Sequence, residues 1–188
     1  MITAGVDEAG CGPLAGPVYA AAVILGAGGL IPGLNDSKLL SAARRESLYE
    51  VIVANAEIGV GIASVREIDA LNILRARLLA MSRAIAALPS APAQILVDGK
   101  YCPDFSGRAV AIVKGDRWVP AISAASIVAK VLRDRAMREL DIEYPQYGFA
   151  EHKGYGTAAH LAALDRHGPS GAHRRSFRPV RDRLPNTR

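Results

Sequence analysis

The chain has 188 residues and a formal net charge of +5; half of its residues are apolar, 22% are charged and 5% are aromatic. That length suits one domain with a sizeable core, and the apolar content excludes a disordered chain. Two cysteines, Cys11 and Cys102, are too few for a four-ligand zinc site or a secreted disulfide framework.

In chain order, "ITAGVD" (2–7) has the apolar character of a first strand, and "VYAAAVIL" (18–25) that of a second; a Gly/Pro turn joins them. Asp7 and Glu8 fall where the apolar region of a signal peptide would begin. Residues 12–35 carry no charge, but Gly26, Gly28, Gly29, Pro32 and Gly33 interrupt them too often for a spanning helix. A soluble, cytoplasmic protein is expected. Residues 41–56 carry helical spacing behind a candidate N-cap, Ser41, and 57–65 form a third strand. Residues 66–88 are expected to form one long amphipathic helix stopped by Pro89. Short strands follow at 93–99 and 109–116, then helices at 122–140 and 157–168, the last with Gly168 as its stop. Early strands joined by a tight turn imply antiparallel pairing, and later ones separated by helices imply parallel pairing. The expected class is therefore α/β, a mixed five-stranded sheet flanked by helices with a helical, basic C-terminal segment.

Charge is distributed unevenly. Residues 166–188 hold seven arginines against one acid, Asp182, a net +6, which leaves −1 for residues 1–165. Such a segment suits a polyanion, phosphate backbones first, or is simply a solvated extension.

Three strand candidates end alike, in "GVDE", "LVDG" and "VKGD". If the first and fourth strands are parallel neighbours, their ends lie about 4.8 Å apart. Asp7, Glu8, Asp98 and Asp116 would then share a pocket. Carboxylates that close persist ionised only when cations neutralise them, and hard oxygen ligands suit Mg²⁺ or Mn²⁺. Two such ions could serve in-line displacement at phosphorus. Taken singly, Asp98 before a glycine is also a turn former and Asp116 also a helix cap or loop acid. The repetition at three strand ends raises the set.

The ordered segments "VDEAGCGPLAGPV", "GLNDSK", "VDG", "KGD", "ISAASIVAK", "HKGYGT" and "HRRSF" span residue 6 to residue 177, and with them the chain resembles bacterial ribonuclease HII. The resemblance implies a single ribonuclease H-like domain over 1–188, with 166–188 as its basic segment, acting as a monomer. It implies hydrolysis of RNA strands hybridised to DNA, and incision 5′ of ribonucleotides embedded in duplex DNA, leaving 3′-hydroxyl and 5′-phosphate ends. Asp7, Glu8, Asp98 and Asp116 match that family's metal-binding carboxylates. Gly10, Cys11 and Gly12 match the turn that senses the ribose 2′-hydroxyl, where glycines let backbone approach a sugar. Tyr155 matches a tyrosine that packs on a sugar, and is otherwise a loop anchor. Ser37, Lys38, Ser126, Lys130 and Lys153 suit phosphate contacts, though Lys130 is equally an ordinary helical lysine. The family usually carries arginine where this chain has Cys11, and a thiol is a far poorer donor.

Cys11 and Cys102 lie four residues beyond Asp7 and Asp98, so both thiols could leave one sheet end. A disulfide would need Cα atoms within about 7 Å, and two separate thiols are the commoner arrangement in the cytosol. A related carboxylate nuclease, a junction resolvase or exonuclease, would share the metal chemistry, but has no use for the "GCG" and "KGYGT" segments. A silent nucleic-acid-binding module would gain nothing from four acids facing phosphates.

Overall fold

The computed structural model describes residues 1–26, 31–35 and 37–185; Asp36 of the "GLNDSK" segment and the terminal Arg188 lie outside them. Strands β1 (Thr3–Ala9), β2 (Val18–Leu25) and β3 (Ala56–Ala63) precede β4 (Gln94–Asp98) and β5 (Arg108–Ile112). They form one sheet in the order β3-β2-β1-β4-β5. The β1–β2 and β2–β3 pairs are antiparallel, while β1–β4 and β4–β5 are parallel. The mixed five-stranded sheet is thus the one expected from the sequence.

The helices are α1 (Ala42–Asn55), α2 (Val65–Leu71), α3 (Ile73–Ala86), α4 (Pro120–Glu143), α5 (Phe149–His152), α6 (Ala158–His167) and α7 (Arg178–Arg181). Ser41 caps α1 by accepting from the Arg44 N–H at 3.2 Å. The helix expected over 66–88 is in fact two. Asn72 adopts φ 70°, which ends α2, and its Oδ1 accepts from the N–H groups of Leu74 and Arg75 to begin α3. Asparagine tolerates positive φ and caps well, so a local turn overrides the continuous apolar period.

Strand alternation sends the two faces of the sheet to different helices. Ala4, Val6, Val18, Ala20 and Ala22 pack with Ala76, Ala80 and Ala84 of α3, whereas Ala21 and Val23 pack with Leu48 and Ile52 of α1 and Ala124, Ala125 and Val128 of α4. Glycines let the helices come close. A Cβ at Gly5 would lie 2.1 Å from the Ala121 carbonyl carbon, and one at Gly61 would lie 2.1 Å from the Ala80 carbonyl oxygen. A third apolar cluster, including Leu14, Met137, Phe149, Leu164 and Val180, joins the C-terminal segment to the loop after β1. Among the described residues no helix is long and apolar enough to cross a membrane.

Candidate active site

Alternation along β1 turns its two acids to opposite faces. Asp7 faces α4 and is buried; its carboxylate accepts a hydrogen bond from the Glu8 backbone N–H at 2.7 Å, and the nearby Ser126 hydroxyl favours its ionised form. Glu8 faces α3, where Arg77 donates to its Oε1 at 3.2 Å. The β1–β4 register runs to Val6 opposite Val97, so Asp7 and Asp98 extend side by side past the paired segment. Asp98 in turn pairs with Ile112 of β5. Beyond β5 the chain makes a tight turn at Gly115–Arg117, in which the Asp116 N–H donates to Asp98 Oδ1 at 3.4 Å. All four acids therefore stand at the C-terminal edge of the parallel strands, where open α/β sheets place their functional groups.

They do not form one ready cage. Asp98 and Asp116 line a cleft of about 430 Å³ together with Lys38, Arg77, Lys100, Tyr101 and Lys114. Glu8 lines a neighbouring cleft of about 410 Å³. Lys38 borders both. Among the described residues no three His, Cys, Asp or Glu side chains are grouped to hold a metal ion as they stand. Asp98 and Asp116 open onto one cleft and Glu8 onto the adjoining one, since a pleated strand turns Asp7 and Glu8 to opposite faces, while the Asp7 carboxyl feels the charges of both Glu8 and Asp98. Electrostatics still favours a cation. Burial, and then the Glu8 and Asp98 charges, hold the Asp7 carboxyl well above its usual range. Among the described residues Glu8 Oε2 is buried without a hydrogen-bond partner. Carboxylate oxygens strained in this way fit a hard divalent ion.

The second cleft also contains Gly10, Cys11, Gly12, Ser37, Ser126, Lys130, Arg133 and Tyr155. Gly10 has φ 101°, and a Cβ there would strike the Arg133 side chain at 2.1 Å. The half-exposed Tyr155 ring lies over Gly12, with Cε1 3.5 Å from where a Cβ would be. Burial, and then Glu8, push the Cys11 thiol up to about 12, so it stays protonated. Both cysteines are free thiols.

Several residues expected at phosphates already have protein partners. Ser37 and Ser126 are buried, with hydroxyls 2.8 Å apart, either of which can donate to the other. Lys130 donates to Asp134 Oδ1 at 2.7 Å and Lys153 to the Ala150 carbonyl. Burial lowers the pKa of both lysines.

Sequence reasoning missed the site's internal scaffolding. Arg174, expected as part of an exposed basic segment, is fully buried. Its guanidinium donates to the carbonyls of Gly10 at 2.6 Å, Cys11 at 3.0 Å and Gly16 at 2.8 and 2.9 Å. Arg45 similarly donates to the Ser37 and Leu40 carbonyls. Beneath Tyr155 lies a histidine relay. His160 Nδ1–H donates to the Tyr155 carbonyl at 2.9 Å, His173 Nε2–H donates to His160 Nε2 at 3.0 Å, and the Ser170 N–H donates to His173 Nδ1 at 3.0 Å. The carbonyl and the amide at its two ends fix both tautomers. None of these roles has a local sequence signature; "HRRSF" marked the right segment without revealing that one arginine turns inward.

A mixed sheet of this order with acids along its C-terminal edge defines a ribonuclease H-like nuclease. The family model for ribonuclease HII matches residues 4–180. A ribonuclease HII of Coxiella burnetii is 59% identical over 182 residues, which cover 96% of this chain and 90% of the relative. One of Shewanella loihica is 56% identical over 185 residues, covering 96% and 89%. Among solved structures, the ribonuclease H2 of Pyrococcus horikoshii superposes with a TM-score of 0.82 at 26% identity, covering 97% of this chain and 96% of the other. Bst-RNase HIII in complex with Mn²⁺ shares the fold at 17% identity and a TM-score of 0.75, covering 98% of this chain and 69% of that one. The chain belongs to the ribonuclease HII family. It is a metal-dependent endonuclease of the ribonuclease H type.

Proposed function

We propose that the protein hydrolyses the RNA strand of RNA–DNA hybrids and incises 5′ of ribonucleotides embedded in duplex DNA, leaving 3′-hydroxyl and 5′-phosphate ends. It does so as a cytoplasmic monomer with one catalytic domain, in ribonucleotide removal from DNA. The observation that carries this reading is a glycine turn beneath an exposed tyrosine, Gly12 under Tyr155, bordering the acidic sheet edge. Backbone that lies open to a sugar can test for a 2′-hydroxyl, the group that separates RNA from DNA.

Asp7, Glu8, Asp98 and Asp116 would hold two divalent ions, Mg²⁺ or Mn²⁺. The unpartnered Glu8 Oε2 and the charge crowding at Asp7 support that assignment. When bound, the pair supplies Lewis-acid stabilisation to the attacking and leaving oxygens of an in-line displacement at phosphorus. Ser126 orients Asp7 through its hydroxyl, with Ser37 behind it. The Gly10–Gly12 backbone accepts the ribose, Tyr155 packs on the adjacent sugar, and Lys38, Lys130 and Lys153 line the path of the phosphates.

The test compares a duplex with one embedded ribonucleotide, a long hybrid and an all-DNA duplex, each with Mg²⁺ and with Mn²⁺. Cleavage confined to the first two is expected; comparable cleavage of all-DNA overturns the substrate assignment. Asp98→Asn should lower turnover by at least 100-fold while leaving thermal melting near that of the parent. Retained turnover removes Asp98 from the metal set.

A further inference from the structure

Helix α3 delivers a guanidinium to the sheet edge. Arg77 Nη1 donates to Glu8 Oε1, and the Cys11 thiol meets that same oxygen at 3.5 Å. Arg77 also borders the cleft of Asp98 and Asp116, and a Cβ at Gly99 would lie 3.2 Å from its Nη2. The group thus spans the ends of β1 and β4. The contact to Glu8 uses one oxygen only. Arg77 Nε and Glu8 Oε2 are buried and both lack partners among the described residues, and the side chains are only 19% and 13% exposed. A fork-to-fork pair would satisfy both oxygens; a largely desolvated pair with unmet hydrogen bonds is a poor stabiliser. Its geometry suits another task, since it fixes Glu8 by one oxygen and leaves the other uncommitted.

We propose that Arg77 is a positioning residue for Glu8 and brings a positive charge from α3 to the cleft that receives the duplex. The proposal rests on reading the clefts as the duplex-binding site. Because the thiol and the guanidinium converge on one oxygen, an arginine at position 11 can reach Glu8 and replace Arg77.

That exchange is the experiment. Binding of a duplex with one ribonucleotide is measured by fluorescence anisotropy in a chelator, across salt concentrations, for the parent, Arg77→Met, and Cys11→Arg in the Arg77→Met background. Arg77→Met should bind about tenfold more weakly, as for loss of a charged hydrogen bond, with a log–log salt slope shallower by about 0.9. Adding Cys11→Arg should recover most of both. Parent-like binding by Arg77→Met, or no recovery in the double variant, overturns the proposal. If Arg77→Met does not fold, Arg77→Lys takes its place. It keeps the charge and loses the fork, so about threefold weaker binding, again recovered by Cys11→Arg, is expected, and absence of either change is a refutation. Parent cleavage of hybrid against all-DNA tests the functional reading separately, so the two can fail independently.

Discussion

At the scale of single residues, the site depends on inward-facing arginines as much as on acids. Arg174 satisfies three backbone carbonyls in the turn after β1, and burial, followed by the charge of Arg133, lowers its pKa to about 9. Arg174→Met removes the donors and leaves those acceptors dry, a loss of about 3 kcal/mol of stability. Equilibrium urea unfolding checks this; a midpoint equal to the parent's would mean that the turn holds itself. The acids were legible in the sequence because strand-terminal Asp residues follow a local pattern. Arg174 and Arg77 were not, because their partners lie 158 to 164 and 69 residues away along the chain, and only tertiary packing separates an internal arginine from a solvated one.

Among elements, α4 matters most to the site, since it carries Ser126 to Asp7 and is seated against β1 at Gly5. Gly5→Val would push a side chain into the Ala121 backbone. We expect about 1–3 kcal/mol of destabilisation from the overpacking, together with a fall in kcat as Ser126 is carried away from Asp7. Unfolding curves and turnover on a hybrid check the two effects, and an unchanged kcat would uncouple the helix seat from the acid. The strands and most helices followed from apolar periodicity, and the parallel pairing of β1 with β4 followed from the helices between them. The split at Asn72 escaped because its neighbours continue a helical apolar pattern. The Ser64–Glu67 capping box that opens α2 was the available cue that a short helix begins there. The opposed directions of Asp7 and Glu8 follow from the strand period, which their adjacency in sequence obscures.

For the whole molecule, the histidine relay ties stability to pH. Burial, then His160 and His152, lower His173 from 6.5 to about 4. Between those values the unfolded chain binds a proton that the folded chain does not, so stability rises with pH across the window. The contribution is complete above about 6.5 and is lost as pH falls toward about 4. Urea midpoints from pH 4 to 8 should show this slope, and His173→Asn should flatten it; an equal slope in the variant would remove the relay as its cause. The C-terminal segment has a further consequence through Arg174, which reaches back to residues 10, 11 and 16. During synthesis the ribosome makes every acid of the sheet edge well before it makes the residue that clasps the first turn. A chain that stops before residue 174 holds all four carboxylates yet lacks that clasp, so the turn after β1 gains its anchor only once Arg174 has been made.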